Sequence, residues 1–280
     1  MIIWTLAIIL PFILLFMSSI TDENTLVANG YSFFPKKFSL ASYSYIIKSG
    51  GQILKAYGVS IGVTVVGTLL NVLLSALMAY PLSVKNLPGR NVMMFFVFFT
   101  MLFNGGIVPS YIMWTGTFHI KDTIFAQLLP NFLLSAWNVM MIRTYFTTSI
   151  PDGLYEAAEI DGASQFTIFW KIVLPLGKPI LVTMGTFAGL AYWNDWTNGL
   201  YYIVKNTGLY NVQNLLNQMV QNIQFLTQSS NSNVTAAAST IPATGIQMAI
   251  AFVAILPIML IFPSFQKYYA KGIALGAVKG

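Results

Sequence analysis

The strongest constraint on this chain is where its charge is absent. Six stretches, 1–19, 57–82, 92–114, 123–142, 179–204 and 245–265, contain a single charged side chain between them, Asp195. Each is close to the roughly 20 apolar residues that an α-helix needs to cross a bilayer. The chain is 56% hydrophobic and only 8% charged, against about 25% charge in an average soluble protein. An ordinary soluble enzyme is excluded. The expected fold is all-α, a polytopic membrane protein with six transmembrane helices. The chain has no cysteine, which excludes thiolate metal sites, iron–sulfur clusters and disulfides. Net charge is +6, yet the Lys and Arg residues sit singly at the ends of apolar stretches. Headgroup contact and orientation explain them better than nucleic acid does.

Met1 leads almost directly into apolar sequence, with no basic segment and no Ala-x-Ala cleavage site, so the first stretch reads as an uncleaved span rather than a signal peptide. No charge precedes Asp22, and the expectation is a natural start that is longer or has been trimmed. With both termini in the cytoplasm, the inside loops hold Lys85, Arg90, Arg143, Lys171, Lys178, Lys267, Lys271 and Lys279. The outside then holds Lys36, Lys37, Lys48, Lys55, Lys121 and Lys205. The excess inside, and the greater length of the outer segments 20–56 and 205–243, favour N-in and C-in.

Between the fourth and fifth stretches lies the loop 149–178. It holds Asp152, Glu156, Glu159 and Asp161, four of the eight acids in the chain. Pro151 and Asp152 start a helix, and Glu156, Ala157, Ala158 and Glu159 continue it. Gly162 then stops or bends it. A second amphipathic piece is expected from Ala163 to Leu174, ended by Pro175. The whole is a helix–turn–helix on the cytoplasmic surface.

The spacing Glu156-Ala157-Ala158, three residues, Gly162, nine residues, Ile172, one residue, Leu174-Pro175 resembles the EAA signature of the membrane subunits of ATP-binding-cassette importers. Ile150-Pro151, Glu159-Ile160-Asp161, Ala163-Ser164 and Phe169 extend the likeness to the carbohydrate branch, around the smaller maltose permease subunit. The tail from Lys271 to Gly280 looks like theirs. Phe103-Asn-Gly-Gly-Ile-Val-Pro109 and Trp193-Asn194-Asp195 are similar to the subgroup for oligosaccharides and polysaccharide fragments. The resemblance implies a type I importer permease fold, one domain over 1–280 with its core at 57–265. It implies a bacterial cytoplasmic-membrane protein that passes a sugar inward. The implied partners are a second homologous permease, two ATPase subunits and an extracytoplasmic solute-binding protein. ATP and Mg would be bound by the ATPase partner, since this chain has no Gly-x-x-x-x-Gly-Lys-Ser/Thr loop. The residues that would couple to that partner are Tyr155, Glu156, Ala157, Ala158, Asp161, Gly162, Ile172, Leu174 and Pro175.

A sugar pathway needs hydroxyl-bonding groups and aromatic faces at membrane depth. The block from Tyr192 to Asn198 offers Trp193, Asn194, Asp195 and Trp196. An Asp at the centre of a span costs about 2.5–3.5 kcal/mol on insertion scales, so such a residue faces a cavity or a partner, or else lies at the interface. If the helix runs on, positions 192, 195 and 199 share a face. Asn71 and Ser75 fall one turn apart, and Asn131, Ser135 and Asn138 fall at helical spacing; interhelical hydrogen bonding is the competing explanation. Asn104-Gly-Gly would interrupt the third span or kink it. His119 has no second ligand nearby, and no metal site is expected.

From Asn211 to Leu226 the apolar residues form one stripe, an amphipathic helix suited to the interface or to reaching the binding protein. The Ser/Asn/Thr-rich 229–243 reads as its return. Composition alone leaves pump, ion-coupled secondary transporter and membrane enzyme open. A secondary transporter needs intramembrane acids as relays, and only Asp195 qualifies.

Overall fold

The computed structural model describes residues 2–48, 50–228 and 243–277. Among them the regular backbone is helical, and the one extended pairing is a bridge between Thr21 and Phe38. In chain order the helices are α1 (Ile2–Ser19), α2 (Glu23–Asn29), α3 (Ala41–Lys48), α4 (Gly50–Ser83) and α5 (Arg90–Leu102). Next come α6 (Ile107–Ile112), α7 (Phe125–Leu128), α8 (Ala136–Ser149), α9 (Asp152–Ile160) and α10 (Gln165–Ile168). Then follow α11 (Leu174–Leu176), α12 (Lys178–Asn194), α13 (Thr197–Tyr202), α14 (Val212–Gln228) and α15 (Ala243–Ala277). Wide π turns prolong α6 over Met113–Thr117 and join α10 to α11 over Phe169–Val173.

By length and composition α4 and the Thr244–Ile261 part of α15 can each cross a membrane. Two bent pairs also qualify if each is one span: Arg90–Leu102 with Ile107–Thr117, bent by 108°, and Gln165–Leu176 with Lys178–Asn194, bent by 78°. The Asn104-Gly-Gly element is therefore a sharp turn rather than a kink. Gly106 takes φ +88°, and its N–H donates to Asn104 Oδ1 at 2.8 Å.

The stretch 123–142 is not the continuous helix expected. It holds the four-residue α7, an irregular segment, and then α8. Pro130 lacks an N–H, and its ring would clash with the carbonyl four residues back, so the helix cannot run through it; Leu129 before it still holds helical backbone. Asn131 adopts φ +67°, a left-handed conformation that Asn tolerates better than most residues. The stretch 179–204 also breaks, because α12 ends at Asn194 and Asp195 is extended. Pro175 does not end the second loop piece as expected. It sits in the first turn of α11, after a π turn, where its missing N–H is tolerated.

The chain divides into two compact units, Met1–Val59 with Thr207–Ile261 and Ser60–Asn206 with Phe262–Gly280. In the first, Ile46, Ile53, Ala56, Val212, Leu215, Ile246, Ala249 and Ile250 form a core. The first part of the apolar stripe of α14 thus faces the interior of its own unit; Leu216 and Met219 pack on the same core as Val212 and Leu215. Both carboxylate oxygens of Glu23 accept N–H groups of the first turn of α15, from Thr244 and Gly245, at 2.9 Å each. That satisfies donors every helix N-terminus leaves orphaned. The expected return 229–243 lies, but for Ala243 at the start of α15, outside the described residues.

In the second unit, α8 buries Val139, Ile142 and Phe146 on one stripe. That stripe meets Ala76, Ala79 and Tyr80 of α4, Met184 of α12, and Ile168, Phe169 and Val173 of the loop. Gly177 makes the bend before α12 possible. A Cβ there would come within 2.5 Å of the Phe146 ring and 2.9 Å of the Val173 carbonyl oxygen.

Candidate functional site

The EAA-like loop folds as two short helices around a tight reversal. Pro151, in extended backbone, precedes α9, and Asp152 occupies the first turn, where a negative charge complements the helix dipole. At the other end the Gly162 N–H donates to the Glu159 carbonyl at 3.0 Å and the Ala163 N–H to that of Ala158 at 2.9 Å. With Gly162 at φ +75°, this is a Schellman motif, which glycine serves without a Cβ penalty. Ser164 then caps α10 by accepting the Thr167 N–H.

Helix periodicity divides the signature residues between two faces. Ala158 is buried against the core, with Tyr155, Ala163, Ile172 and Leu174 packed beside it. Burial raises the Tyr155 phenol above its ordinary value. Ala157 is exposed at the middle of the opposite face, between Leu154 at 41% exposure and Ile160 at 86%. Glu156, Asp161, Gly162 and Pro175 are exposed as well. Phe166 and Trp170 carry the apolar surface onward at 67% and 44%. An isolated water-soluble surface rarely leaves so many large apolar groups together beside acids.

Two links tie α9 to the end of α4. Lys85 forms an ion pair with Asp152, both exposed. Gln165 bridges Tyr80 and Glu159, accepting from Tyr80 Oη at 2.5 Å and donating to Glu159 Oε1 at 2.9 Å. Arg143 Nε donates to the Leu82 carbonyl at 3.2 Å, which supplies a donor to one of the last carbonyls of α4.

The polar residues placed at membrane depth gather around the broken segment 128–135. Irregular backbone is tolerated there only if its polar groups find partners inside the protein. Three carbonyls in the break do so. Leu128 accepts from Tyr192 Oη at 2.8 Å, Pro130 from Asn198 Nδ2 at 3.1 Å and Phe132 from Asn71 Nδ2 at 2.6 Å. Asn138 Nδ2 donates to Asn71 Oδ1 at 2.7 Å, and Asn131 Nδ2 to Asn198 Oδ1 at 3.1 Å. Asn71, Asn138 and Asn198 are all buried. Ser135 leads into α8 in extended backbone, so Asn131, Ser135 and Asn138 share no helix face.

Asp195 is buried at the junction of α12 and α13. Its Oδ1 accepts from Thr197 N at 3.0 Å, Thr197 Oγ1 at 2.8 Å and Asn198 N at 3.2 Å. That is the capping arrangement of a helix start. Because α12 ends here, positions 192, 195 and 199 do not share a face as a continuous helix would require. Trp193 is buried; Trp196 and Asn194 are exposed. The part that sequence reasoning missed is Gln165, Lys85, Gly177 and the roles of Tyr192 and Asn198 as carbonyl donors. Of these, Tyr192 and Asn198 carried a local signal, as polar residues three positions to either side of Asp195.

Residues 57–275 match the family described as binding-protein-dependent transport system inner membrane component. The chain is 36% identical over 272 residues to Protein LplC of Bacillus subtilis (strain 168), covering 97% of this chain and 90% of that protein. It is 37% identical over 277 residues to the polygalacturonan/rhamnogalacturonan transport system permease protein YtcP of the same organism, covering 99% and 94%. A chain of the crystal structure of a bacterial ABC transporter involved in the import of the acidic polysaccharide alginate is also similar. That likeness has a TM-score of 0.80 and 27% identity, over 95% of this chain and 92% of that one.

Proposed function

The chain belongs to the binding-protein-dependent transport system inner membrane components, and from that membership we propose that it is one membrane subunit of an ATP-driven importer for an oligosaccharide or polysaccharide fragment. It crosses the bacterial cytoplasmic membrane six times, with both termini inside, as one permease domain over 1–280. Its partners are a second homologous permease, two ATPase subunits that bind ATP and Mg, and an extracytoplasmic solute-binding protein. The names of the relatives, one a polygalacturonan/rhamnogalacturonan transport system permease and one a chain of a transporter involved in the import of alginate, support a polymeric sugar as the cargo.

One observation carries the reading. The outer face of α9, with Ala157 flanked by Leu154 and Ile160 and bordered by Glu156 and Asp161, is apolar, acidic and uncovered. A short, internally braced helix with a small residue at its centre fits a groove on an ATPase subunit, and can pass a rigid-body motion to the spans. Trp196 and Asn194, exposed beside the α12–α13 junction, are the sugar-contacting candidates. Asp195, Asn71, Asn131, Asn138 and Trp193 remain candidates for lining the pathway. An ion-coupled carrier would require Asp195 as a relay; the carboxylate serves instead as a helix cap.

Glu156→Lys reverses a charge on the exposed face, and Gly162→Asp forces a β-carbon into left-handed backbone. Each should abolish sugar uptake and strip the ATPase subunit from the purified complex while membrane insertion stays normal. Wild-type uptake with a normal yield of co-purified ATPase subunit would refute the coupling role.

A further inference from the structure

Tyr80, 8% exposed near the end of α4, lies against the rings of Tyr155 and Phe169, with centroids at 6.4 and 5.4 Å. A phenolic hydroxyl in such a place needs a partner. It has one in Gln165, whose amide passes the chain of hydrogen bonds on to Glu159 of α9. The direction of the chain is fixed by chemistry. With the amide reversed, its oxygen would face the Glu159 carboxylate, acceptor against acceptor. One side chain therefore reads both the span helix and the loop helix, in a single orientation.

The placement matters because the other contacts of α9 with α4 are of a different kind. Ala158 and the ring of Tyr155 meet the core through apolar surface, which is cohesive but non-directional, while the Tyr155 hydroxyl turns toward Ser83. The Lys85–Asp152 pair is exposed on both sides, and such pairs contribute little. It does hold the first turn of α9 to the residues just beyond Ser83, while Gln165 holds the last turn to Tyr80. A nine-residue helix is thus fastened at both ends to residues 80–85; the Gln165 link differs from the Lys85 one in that its bond to Tyr80 is part-buried, while its bond to Glu159 is exposed.

We propose that Gln165 is a positioning residue that locks the coupling helix to the inner end of α4, so that displacement of α9 by the ATPase subunit moves α4 with it. The proposal rests on the coupling role given to α9 above. It assigns Gln165 no contact with the partner. Docking and transmission are therefore separable: the exposed face of α9 determines whether the ATPase subunit binds, and the Tyr80–Gln165–Glu159 chain determines how much transport each hydrolysed ATP drives.

The test uses the complete complex in proteoliposomes with the loaded binding protein, measuring sugar imported per ATP hydrolysed and the ATPase subunit co-purified. Gln165→Leu keeps the size and removes both hydrogen bonds; Tyr80→Phe removes one. Gln165→Leu should leave co-purification and ATP hydrolysis near wild type and lower transport per ATP about tenfold, the scale of one to two hydrogen bonds. Tyr80→Phe should lower it less, and the double variant should be no worse than Gln165→Leu alone. Unchanged transport per ATP in Gln165→Leu overturns the proposal, as does loss of the ATPase subunit in step with transport. Failure of the docking reading shows separately, as normal co-purification in Glu156→Lys.

Discussion

Asn71 offers the sharpest test of how this chain tolerates the broken segment 128–135. Its amide nitrogen donates to the Phe132 carbonyl at 2.6 Å and its amide oxygen accepts from Asn138 at 2.7 Å. Asn71 is 2% exposed and Asn138 5%, so water cannot replace either partner. Asn71→Leu leaves two orphans, the Phe132 carbonyl and the Asn138 amide. Asn138→Leu leaves one, the Asn71 oxygen. The double variant also leaves one, the Phe132 carbonyl. A buried unsatisfied group costs about 1–3 kcal/mol, and hydrogen bonds measured inside membranes average about 0.6 kcal/mol. The expectation is about 2 kcal/mol for Asn71→Leu and about 1 kcal/mol for each of the others. Thermal unfolding of the purified complex should show it, at roughly 2–4 °C per kcal/mol. The decisive result is the order: the double variant should be more stable than Asn71→Leu. If instead the two losses add, the Asn71–Asn138 bond does not exist in the assembled protein, and these residues are free to serve another purpose.

Three other outcomes follow from single contacts. Asp195→Ala removes the cap of α13 and should cost about 1–2 kcal/mol, seen as a lower melting temperature with reduced uptake; Asp195→Asn and Asp195→Ser, which keep an acceptor, should be milder, and equal losses would show that the charge itself is needed. Gly67→Ala should destabilise despite alanine's better helix propensity, because the new Cβ would lie 2.5 Å from the Tyr192 ring; Gly62→Ala in the same helix meets nothing within 4 Å and should be neutral or mildly stabilising. Asp122 is held below the ordinary carboxylate value of 3.8, first by the Val204 N–H, with Lys205 and Asn206 adding theirs. A carboxylate with a depressed folded value stabilises above its unfolded value and loses that contribution as pH falls through the folded one. Hydrogen exchange of amides 204–206, corrected for intrinsic rates, should therefore show protection at neutral pH that fades below about pH 3.8, the ordinary carboxylate value, and Asp122→Asn should show weak protection at every pH.

Much of the fold was legible along the chain because its signals are local. Uncharged apolar length marked α1, α4 and the last helix. Asn104-Gly-Gly marked the turn after α5, and the run from Pro151 to Gly162 marked α9 together with the left-handed residue that ends it. These depend on backbone restriction by proline, freedom at glycine, and transfer of side chains out of water, which neighbours in sequence suffice to express. The family resemblance was carried by the same loop.

Local signals failed where the chain answers to residues far from it. Pro130 gave a hint that 123–142 could break, but hydropathy hid it. A break is affordable only if its carbonyls are met, and their donors lie 61 to 68 positions away, in Asn71, Tyr192 and Asn198. Equally, nothing local distinguishes Ala157 from Ala158; packing turns one outward and buries the other in the core. Asp195 read as a charge in the middle of a span because the end of α12 at Asn194 was not visible. The stripe of α14 read as suited to the interface or to the binding protein because the core that covers its first part is assembled from helices far apart in the chain. Hydropathy records that a side chain leaves water. Which neighbour receives it, whether lipid, a carbonyl or another helix, is set by contacts that exist only once the chain has folded.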